Sequence, residues 1–193
     1  MILMKHIIRE GHKTLETVAK DVRLPLSSKD KKTLKDMLQF VKNSQDDEMV
    51  EQYGLRPAVG IAAPQINIQK RMFAVHVTDF DGTPYSYALV NPVLKAKSDE
   101  VIYLPGGEGC LSVDRETSGV TPRYKWVDFD AYAYDPENDK LFEISLHLEG
   151  YVGIVFQHEF DHINGILFTM KLFETLPFAK PAFEAEKTLE VSQ

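Results

Sequence analysis

The sequence predicts an α+β fold in which short antiparallel β-sheets pack around a central, buried helix that carries an HExxH motif. Apolar and polar residues alternate over residues 126–134 and again over 142–148, which is typical of two strands with one buried face. The turn dipeptide Asp135-Pro136 separates them and predicts a hairpin. Residues 151–164 leave almost no polar face, so they predict a helix in the middle of the domain.

The other elements follow in chain order. Ser27 and Asp30 form a capping-box pattern, and the apolar residues after them recur at helical spacing: Leu34, Met37, Leu38 and Val41. Residues 43–57 predict a polar connection. Short strands are predicted at 72–77, 87–90 and 101–104, with turns at Asp81-Gly82, Asn91-Pro92 and Pro105-Gly-Gly107. Gly165 predicts the end of the buried helix, and residues 171–193 predict an extension along the surface.

Length and charge limit the classes of function. A chain of 193 residues fits one domain, which we take as residues 1–193. The net charge of -7 repels phosphate backbones and anionic lipid, so neither nucleic acid nor a membrane is an expected partner. No run approaches the ~18 apolar residues of a membrane span. The single cysteine, Cys110, suits a reducing compartment. We therefore expect a soluble protein of the cytoplasm.

The buried helix carries the chemistry-bearing motif His158-Glu159-Phe160-Asp161-His162. A spacing of four residues places His158 and His162 on one face, about a turn apart, where they can bind one metal ion. Glu159 is rotated about 100° from His158, so it can face the open position of the metal without coordinating it. These residues predict a hydrolytic metal site with Glu159 as general base.

Two histidines leave the metal site incomplete, because a catalytic site of this kind has three protein ligands. The metzincin pattern is disfavoured, since Phe168 stands where its third histidine is required. The remaining candidates are a carboxylate, Cys110, His6, His12, His76 and His147. Cys110 is the best placed of these, because three nearby glycines allow close backbone approaches in the segment Pro105-Gly-Gly-Glu-Gly-Cys-Leu-Ser112.

A third cluster of small residues precedes both motifs, from Pro57 to Gln65. Small side chains leave room for another backbone to lie alongside, and Gln65 can donate an amide N–H from a fixed turn. Taken alone, this segment is typical of a tight packing turn.

Taken together and in this order, the three motifs resemble those of the peptide deformylase family, over roughly residues 25 to 170. They stand here as Val59-Gly-Ile-Ala-Ala-Pro-Gln65, Glu108-Gly-Cys-Leu-Ser112 and Gln157-His-Glu-Phe-Asp-His162. The connection at 43–57 and the Tyr151 that opens the helix are similar to the second type of the family, common in Gram-positive bacteria. Ala58 departs from the glycine often found there, which affects only the expected loop shape.

The resemblance implies a metal bound by Cys110, His158 and His162, with Glu159 as acid and base. It also implies an oxyanion hole formed by Gln65 and the backbone N–H of Leu111. The backbones of Val59, Gly60 and Gly109 would pair with an extended substrate as an added strand does.

The implied reaction removes the N-formyl group from the formyl-methionine of nascent polypeptides and releases formate. The partners would be N-formyl-methionyl peptides and nascent chains, with possible proximity to the ribosome. Helical spacing places Tyr151, Ile154 and Val155 on the metal-facing side, so we expect them to form an apolar pocket for the first side chain. Fe²⁺ is the implied cofactor, with Zn²⁺, Ni²⁺ or Co²⁺ able to substitute.

Two other functions are compatible with parts of the sequence. The helix motif alone also supports a metal-dependent peptidase, although Cys110 argues against one, because common peptidase sites complete the ligand set with His or a carboxylate. A noncatalytic binding module stabilised by metal would use Glu159 only to orient a ligand.

We further expect Arg123 to pair with Asp161, since a carboxylate inside an apolar helix needs a cationic partner.

Overall fold

The computed structural model describes residues 1–184. Its α-helices are α1 (Ser28–Asn43), α2 (Asp47–Tyr53) and α3 (Gly150–Ile163). Its strands are β1 (Gly60–Ala62), β2 (Met72–Thr78), β3 (Pro84–Lys97), β4 (Val101–Tyr103), β5 (Arg123–Tyr124), β6 (Trp126–Asp135), β7 (Lys140–Glu149) and β8 (Lys180–Pro181). Short 3-10 turns complete the set, among them Ala63–Ile66.

The strands form two sheets. The larger is antiparallel throughout, in the order β1-β2-β3-β6-β7, and the smaller has the order β5-β4-β8, in which β4 and β8 are parallel. The predicted hairpin is β6–β7, with Phe129 opposite Leu146. The α+β class is therefore confirmed.

The buried helix predicted around the HExxH motif is α3. It packs against β1, β2, β5, β6 and β7. Phe156 is fully buried and meets Phe73 of β2 edge to face, with ring centroids 6.0 Å apart. The helix ends where expected, because Gly165 adopts a φ of 73°, which is favourable for glycine and strained for other residues. The helix that carries both histidines of the motif thus lies mainly against β1 and β2, at one end of the large sheet.

The first helix also follows its sequence pattern. The Ser27 hydroxyl accepts a hydrogen bond from the Asp30 N–H at 3.2 Å and so caps α1. Leu34, Met37 and Val41 are fully buried where α1 packs on β2 and β3.

Three expectations need correction. Residues 43–57 contain the helix α2 rather than only a polar connection, because Asp46 caps it through the Met49 N–H and Gly54 ends it at a φ of 60°. The turn expected at Asn91-Pro92 is a bulge within β3: pairing with β6 shifts between Val90 and Val93, which accommodates a proline that cannot donate.

The alternating pattern of β7 buries less than predicted. Leu148 is buried, but Phe142 is 47 % exposed, because β7 lies at the edge of its sheet. The predicted surface extension begins as expected, with β8 pairing on β4. Its last part, residues 185–193, lies outside the described residues. Within residues 1–184, no helix has both the length and the apolar composition needed to cross a bilayer.

The packing of α3 on β2 generates a stability prediction. Phe156→Ala should lower the free energy of unfolding by about 3–5 kcal/mol, because it opens a cavity between two packed elements. Phe178→Ala is the matched control, since Phe178 is 78 % exposed and should change stability by less than about 1 kcal/mol. Urea unfolding followed by circular dichroism measures both, and equal losses in the two variants would contradict the predicted role of Phe156.

Candidate metal centre

Three side chains that can bind a metal converge at α3. Cys110 Sγ and one ring nitrogen from each of His158 and His162 all lie within 4.8 Å of one another. Cys110 Sγ and His162 Nε2 are 3.3 Å apart, close to the roughly 3.5 Å that separates two ligands on one tetrahedral ion. The two histidines lie one turn apart on α3, and the centroids of their rings are 4.9 Å apart. One thiolate and two imidazoles form a suitable donor set for a divalent transition metal.

Glu108 fixes the first histidine. Its Oε2 lies 2.8 Å from His158 Nδ1, which leaves Nε2 free to bind a metal. Burial would raise the pKa of Glu108, but hydrogen bonds from Arg123 and His158 lower the pKa to about 2. Glu108 is therefore a carboxylate that orients the imidazole. This role of Glu108 was not predicted from the sequence, although the residue lies two positions before Cys110 in the same motif.

Arg123 connects this carboxylate to α3. Its guanidinium donates to both oxygens of Glu108, at 2.7 and 2.8 Å, and to Asp161 Oδ2 at 2.6 Å. The pairing of Arg123 with Asp161 is confirmed. Lys171 adds a second cation, 2.9 Å from each Asp161 oxygen. Burial would lower the pKa of Arg123, but the hydrogen bonds and charges of its two carboxylate partners raise it overall.

Glu159 is buried beside the three metal-binding side chains. Burial raises its pKa to about 7. Within residues 1–184, its Oε2 has no hydrogen-bond partner, so this oxygen can bind water or substrate. Gly60 makes room for it: a Cβ added at Gly60 would lie 2.5 Å from Glu159 Oε1. The small residue in β1 thus determines where the carboxylate can lie.

The amide of Gln65 has a fixed orientation. Its Oε1 accepts a hydrogen bond from the Ala62 N–H at 2.8 Å, which turns Nε2 toward Cys110 Sγ at 3.5 Å and Ser112 Oγ at 3.3 Å. The Ser112 N–H also points to the cysteine sulfur, at 3.4 Å. Two N–H groups therefore donate toward the sulfur of the Cys-His-His cluster.

A cavity of about 360 Å³ opens onto this cluster. Every candidate site residue lines it except His162, which lies beneath its wall at 1 % exposure. The candidate residues in its lining are Val59, Gly60, Gln65, Gly109, Cys110, Leu111, Tyr151, Ile154, Val155, His158 and Glu159. The structure therefore brings the three sequence motifs to one site.

Two further contacts at the site were missed from sequence. Arg56 donates to the backbone oxygens of Cys110 at 3.1 Å and Val113 at 3.4 Å, so it holds the loop that carries the cysteine. Phe168 stacks on the ring of His158, with centroids 6.0 Å apart. Neither residue belongs to a motif, and only the folded chain places them here.

A buried carboxylate beside a Cys-His-His cluster, with an oriented amide in the same cavity, defines a metal-dependent hydrolase. Comparison with known proteins specifies the family. The model of the family described as "Polypeptide deformylase" matches residues 4–176. The chain belongs to this family of hydrolases, which remove the formyl group from nascent polypeptides.

Relatives and solved structures agree. The chain is 52 % identical over 181 residues to peptide deformylase 2 of Bacillus cereus, covering 94 % of this chain and 96 % of the relative. It is 48 % identical over 181 residues to peptide deformylase 2 of Bacillus subtilis, with the same coverage of both chains. A crystal structure of peptide deformylase from Thermus thermophilus matches with a TM-score of 0.63 and 30 % identity, over 87 % of this chain and 85 % of that one. Membership of the family favours deformylation over the peptidase and the noncatalytic module.

The charge network generates a second stability prediction. Arg123→Ala should lower the free energy of unfolding by about 3–5 kcal/mol, because it leaves Glu108 and Asp161 buried without their shared cation. Lys125→Ala is the control, since this exposed lysine pairs only at the surface with Glu100 and its removal should leave the thermal midpoint unchanged. Thermal unfolding measures both variants. An Arg123→Ala midpoint equal to that of the parent would refute the stabilising role.

Proposed function

We propose that the chain hydrolyses the formamide C–N bond of N-formyl-methionyl nascent polypeptides, with the residues of the candidate metal centre in the roles below. The observation that carries the proposal is the buried Oε2 of Glu159, which has no hydrogen-bond partner among residues 1–184 and belongs to a side chain that lines the same cavity as Cys110, His158 and Gln65. Purified protein incubated with formyl-Met-Ala should release formate and the free dipeptide. Formyl-Met-Ala-Ala should likewise release the free tripeptide with its internal bonds intact; internal cleavage would instead support a peptidase.

The metal ligands in this proposal are Cys110, His158 and His162. When bound, the metal polarises the formyl oxygen and activates water. The Glu108 carboxylate holds the His158 ring so that Nε2 faces the cluster, and the N–H groups of Gln65 and Ser112 donate to the Cys110 sulfur and hold it in position.

Glu159 acts as base and then as acid. Its free oxygen takes a proton from the attacking water and returns it to the substrate nitrogen as the C–N bond breaks. Formate and a free α-amine leave. Gln65 Nε2 and the backbone N–H of Leu111 donate to the oxygen that gains negative charge during the attack.

The substrate lies along β1 as an added strand, using the backbones of Val59, Gly60 and Gly109. The Val59 carbonyl faces β2, where it accepts the His76 N–H at 2.9 Å, so the next residue, Gly60, turns its backbone N–H and C=O toward the opposite edge, where the substrate lies. The methionine side chain enters the apolar end of the cavity, formed partly by Tyr151, Ile154 and Val155. Three apolar walls there favour an unbranched thioether over a charged side chain.

We propose that the chain works as one catalytic domain in the cytoplasm, close to ribosomes. The family model covers residues 4–176, so one unit includes every motif. Nascent polypeptides are accessible where they are made, and the net charge of -7 disfavours direct binding to ribosomal RNA.

The assigned roles separate metal binding from turnover. Cys110→Ala should lose most of its metal, because it deletes a ligand, whereas Glu159→Gln should keep the metal and lose at least about 100-fold in kcat. Metal analysis of each variant is read beside its formate release. Stoichiometric, tightly held metal in the Cys110→Ala protein would show that the ligand set is wrong.

The contact between Gly60 and Glu159 generates a further prediction. Gly60→Ala should reduce kcat, because the new methyl group occupies the position of Glu159 Oε1 and displaces the carboxylate. Metal content should stay at the parent value. Glu159→Asp supplies a double-mutant cycle, since a shorter side chain has less to displace. In the Glu159→Asp background we expect a smaller loss from Gly60→Ala; equal losses in both backgrounds would contradict the contact.

We propose Fe²⁺ as the metal in the cell. A thiolate and two imidazoles also accept Zn²⁺, Ni²⁺ and Co²⁺, so the ligands alone do not select it. Iron and the Cys110 thiolate are both open to oxidation by oxygen. Anaerobic iron protein should be more active than the zinc form and lose activity in air, with added oxygen detected at Cys110 by intact mass, while the nickel form stays active. An air-stable protein with full activity on zinc would overturn the iron proposal alone.

A further inference from the structure

Three aromatic side chains from distant parts of the chain meet beside the cavity: Phe80, Tyr151 and Phe183, here called the aromatic cluster. The ring of Phe80 lies 5.4 Å from that of Tyr151 and 4.7 Å from that of Phe183, between centroids. The rings of Tyr151 and Phe183 are 6.4 Å apart. These are the separations of attractive aromatic pairs.

Backbone hydrogen bonds of a helix and of a sheet hold two of the three segments that carry the aromatic cluster. Tyr151 lies in the first turn of α3. Phe183 follows β8, which pairs with β4, and the Ala182 N–H donates to the Tyr103 carbonyl at 2.8 Å. Phe80 lies in the turn between β2 and β3 and is 69 % exposed. The cluster thus has two anchored rings and one ring that is mostly in contact with water.

The aromatic cluster is continuous with the main cavity. Tyr151 lines that cavity and also a neighbouring one of about 450 Å³, which Phe80 and Ala182 line as well. Side chains of both charge signs surround the neighbouring cavity, among them Asp79 and Lys180. With no single sign of charge at its rim, this region selects by apolar contact rather than by charge.

The direction of a bound peptide brings it to the aromatic cluster. Its formyl end must lie beside Glu159, which contacts Gly60 in β1. Beyond Gly60, Ile61 and Ala62 are fully buried, whereas Val59 is only half-buried, so the peptide leaves on the Val59 side. Because β1 and β2 are antiparallel, a peptide leaving this way runs in the direction of β2, toward the turn that carries Phe80.

The strand register estimates which substrate residue arrives there. Gly60 is opposite Val75, and Phe80 follows Val75 by five positions. An extended peptide advances at the same rate per residue as β2, about 3.3 Å. The sixth residue of an extended peptide whose first residue is level with Gly60 is therefore level with Phe80, and residues four and five lie within two residue lengths of it.

We propose that the aromatic cluster is a binding site for an apolar or aromatic side chain at the fourth to sixth residue of the formylated substrate. The proposal rests on the proposed function, because it needs the peptide to lie along β1 with its formyl group at Glu159. The exposed ring of Phe80 supplies the contact, and Tyr151 and Phe183 hold that ring in place. The site adds a preference to a substrate already bound by its backbone and first side chain.

A peptide series tests the site. Formyl-Met followed by five alanines is the reference, and one phenylalanine is placed in turn at positions two to six. We expect kcat/KM to rise about three- to ten-fold when the phenylalanine is at positions four to six. Phe80→Ala should abolish the rise and Phe80→Leu should retain part of it, with each rate divided by the same variant's rate on formyl-Met-Ala.

Phe178→Ala is the matched control, because Phe178 is an exposed phenylalanine of the same C-terminal segment outside the aromatic cluster. It should keep the full preference. The proposal is overturned if the parent shows no preference at positions four to six, or if Phe80→Ala retains it. Absence of formate from formyl-Met-Ala would refute the proposed function instead, so the two failures are distinguishable. Thermal midpoints confirm that the variants are folded.

Discussion

The burial of charge around α3 is the constraint on which the rest of the structure depends. Glu108, Arg123 and Asp161 are each at most 8 % exposed, in a region where an unpaired charge costs several kcal/mol. Two cations, Arg123 and Lys171, face the two carboxylates, so the group is balanced in charge. Moving any one member would leave another unpaired, and this resists displacement of the whole group.

This charge network affects the candidate metal centre as well as stability, because its member Glu108 contacts His158. The same oxygen of Glu108, Oε2, contacts both Arg123 and His158. The position of the imidazole therefore depends on the position of the guanidinium. Backbone hydrogen bonds hold the segments that carry Gln65 and Ser112. The Ile8 N–H donates to the Gln65 carbonyl and the Glu10 N–H donates to the Ser112 carbonyl, both at 2.8 Å. The N-terminal segment therefore connects the turn that carries Gln65 to the loop that carries Cys110 and Ser112.

Sequence patterns predicted the elements whose signals are local and periodic. α1 and the β6–β7 hairpin have a cap or turn at their ends and a regular apolar pattern, and the three motifs led to one cavity. The bulge at Asn91-Pro92 was taken for a turn because its stability depends on a distant contact, the Val22 N–H that donates to the Asn91 side chain. Glu108 was overlooked for a related reason: its partner Arg123 is far along the chain, and only their juxtaposition gives the carboxylate a role.

The two ends of the cavity differ in burial, and the difference fits the substrates of the family. At the candidate metal centre, charge pairs and packing hold the polar side chains, as transition-state stabilisation requires. At the other end, the chain reaches the half-buried Val59 just before β1. In the binding mode proposed above, the β1 backbone pairs with any peptide sequence, because every residue carries the same backbone donor and acceptor. Nascent polypeptides share a first residue and differ afterwards. A pocket for the first side chain, followed by backbone pairing and a contact at the exposed ring of Phe80, would accept that diversity while holding the formyl group in one place.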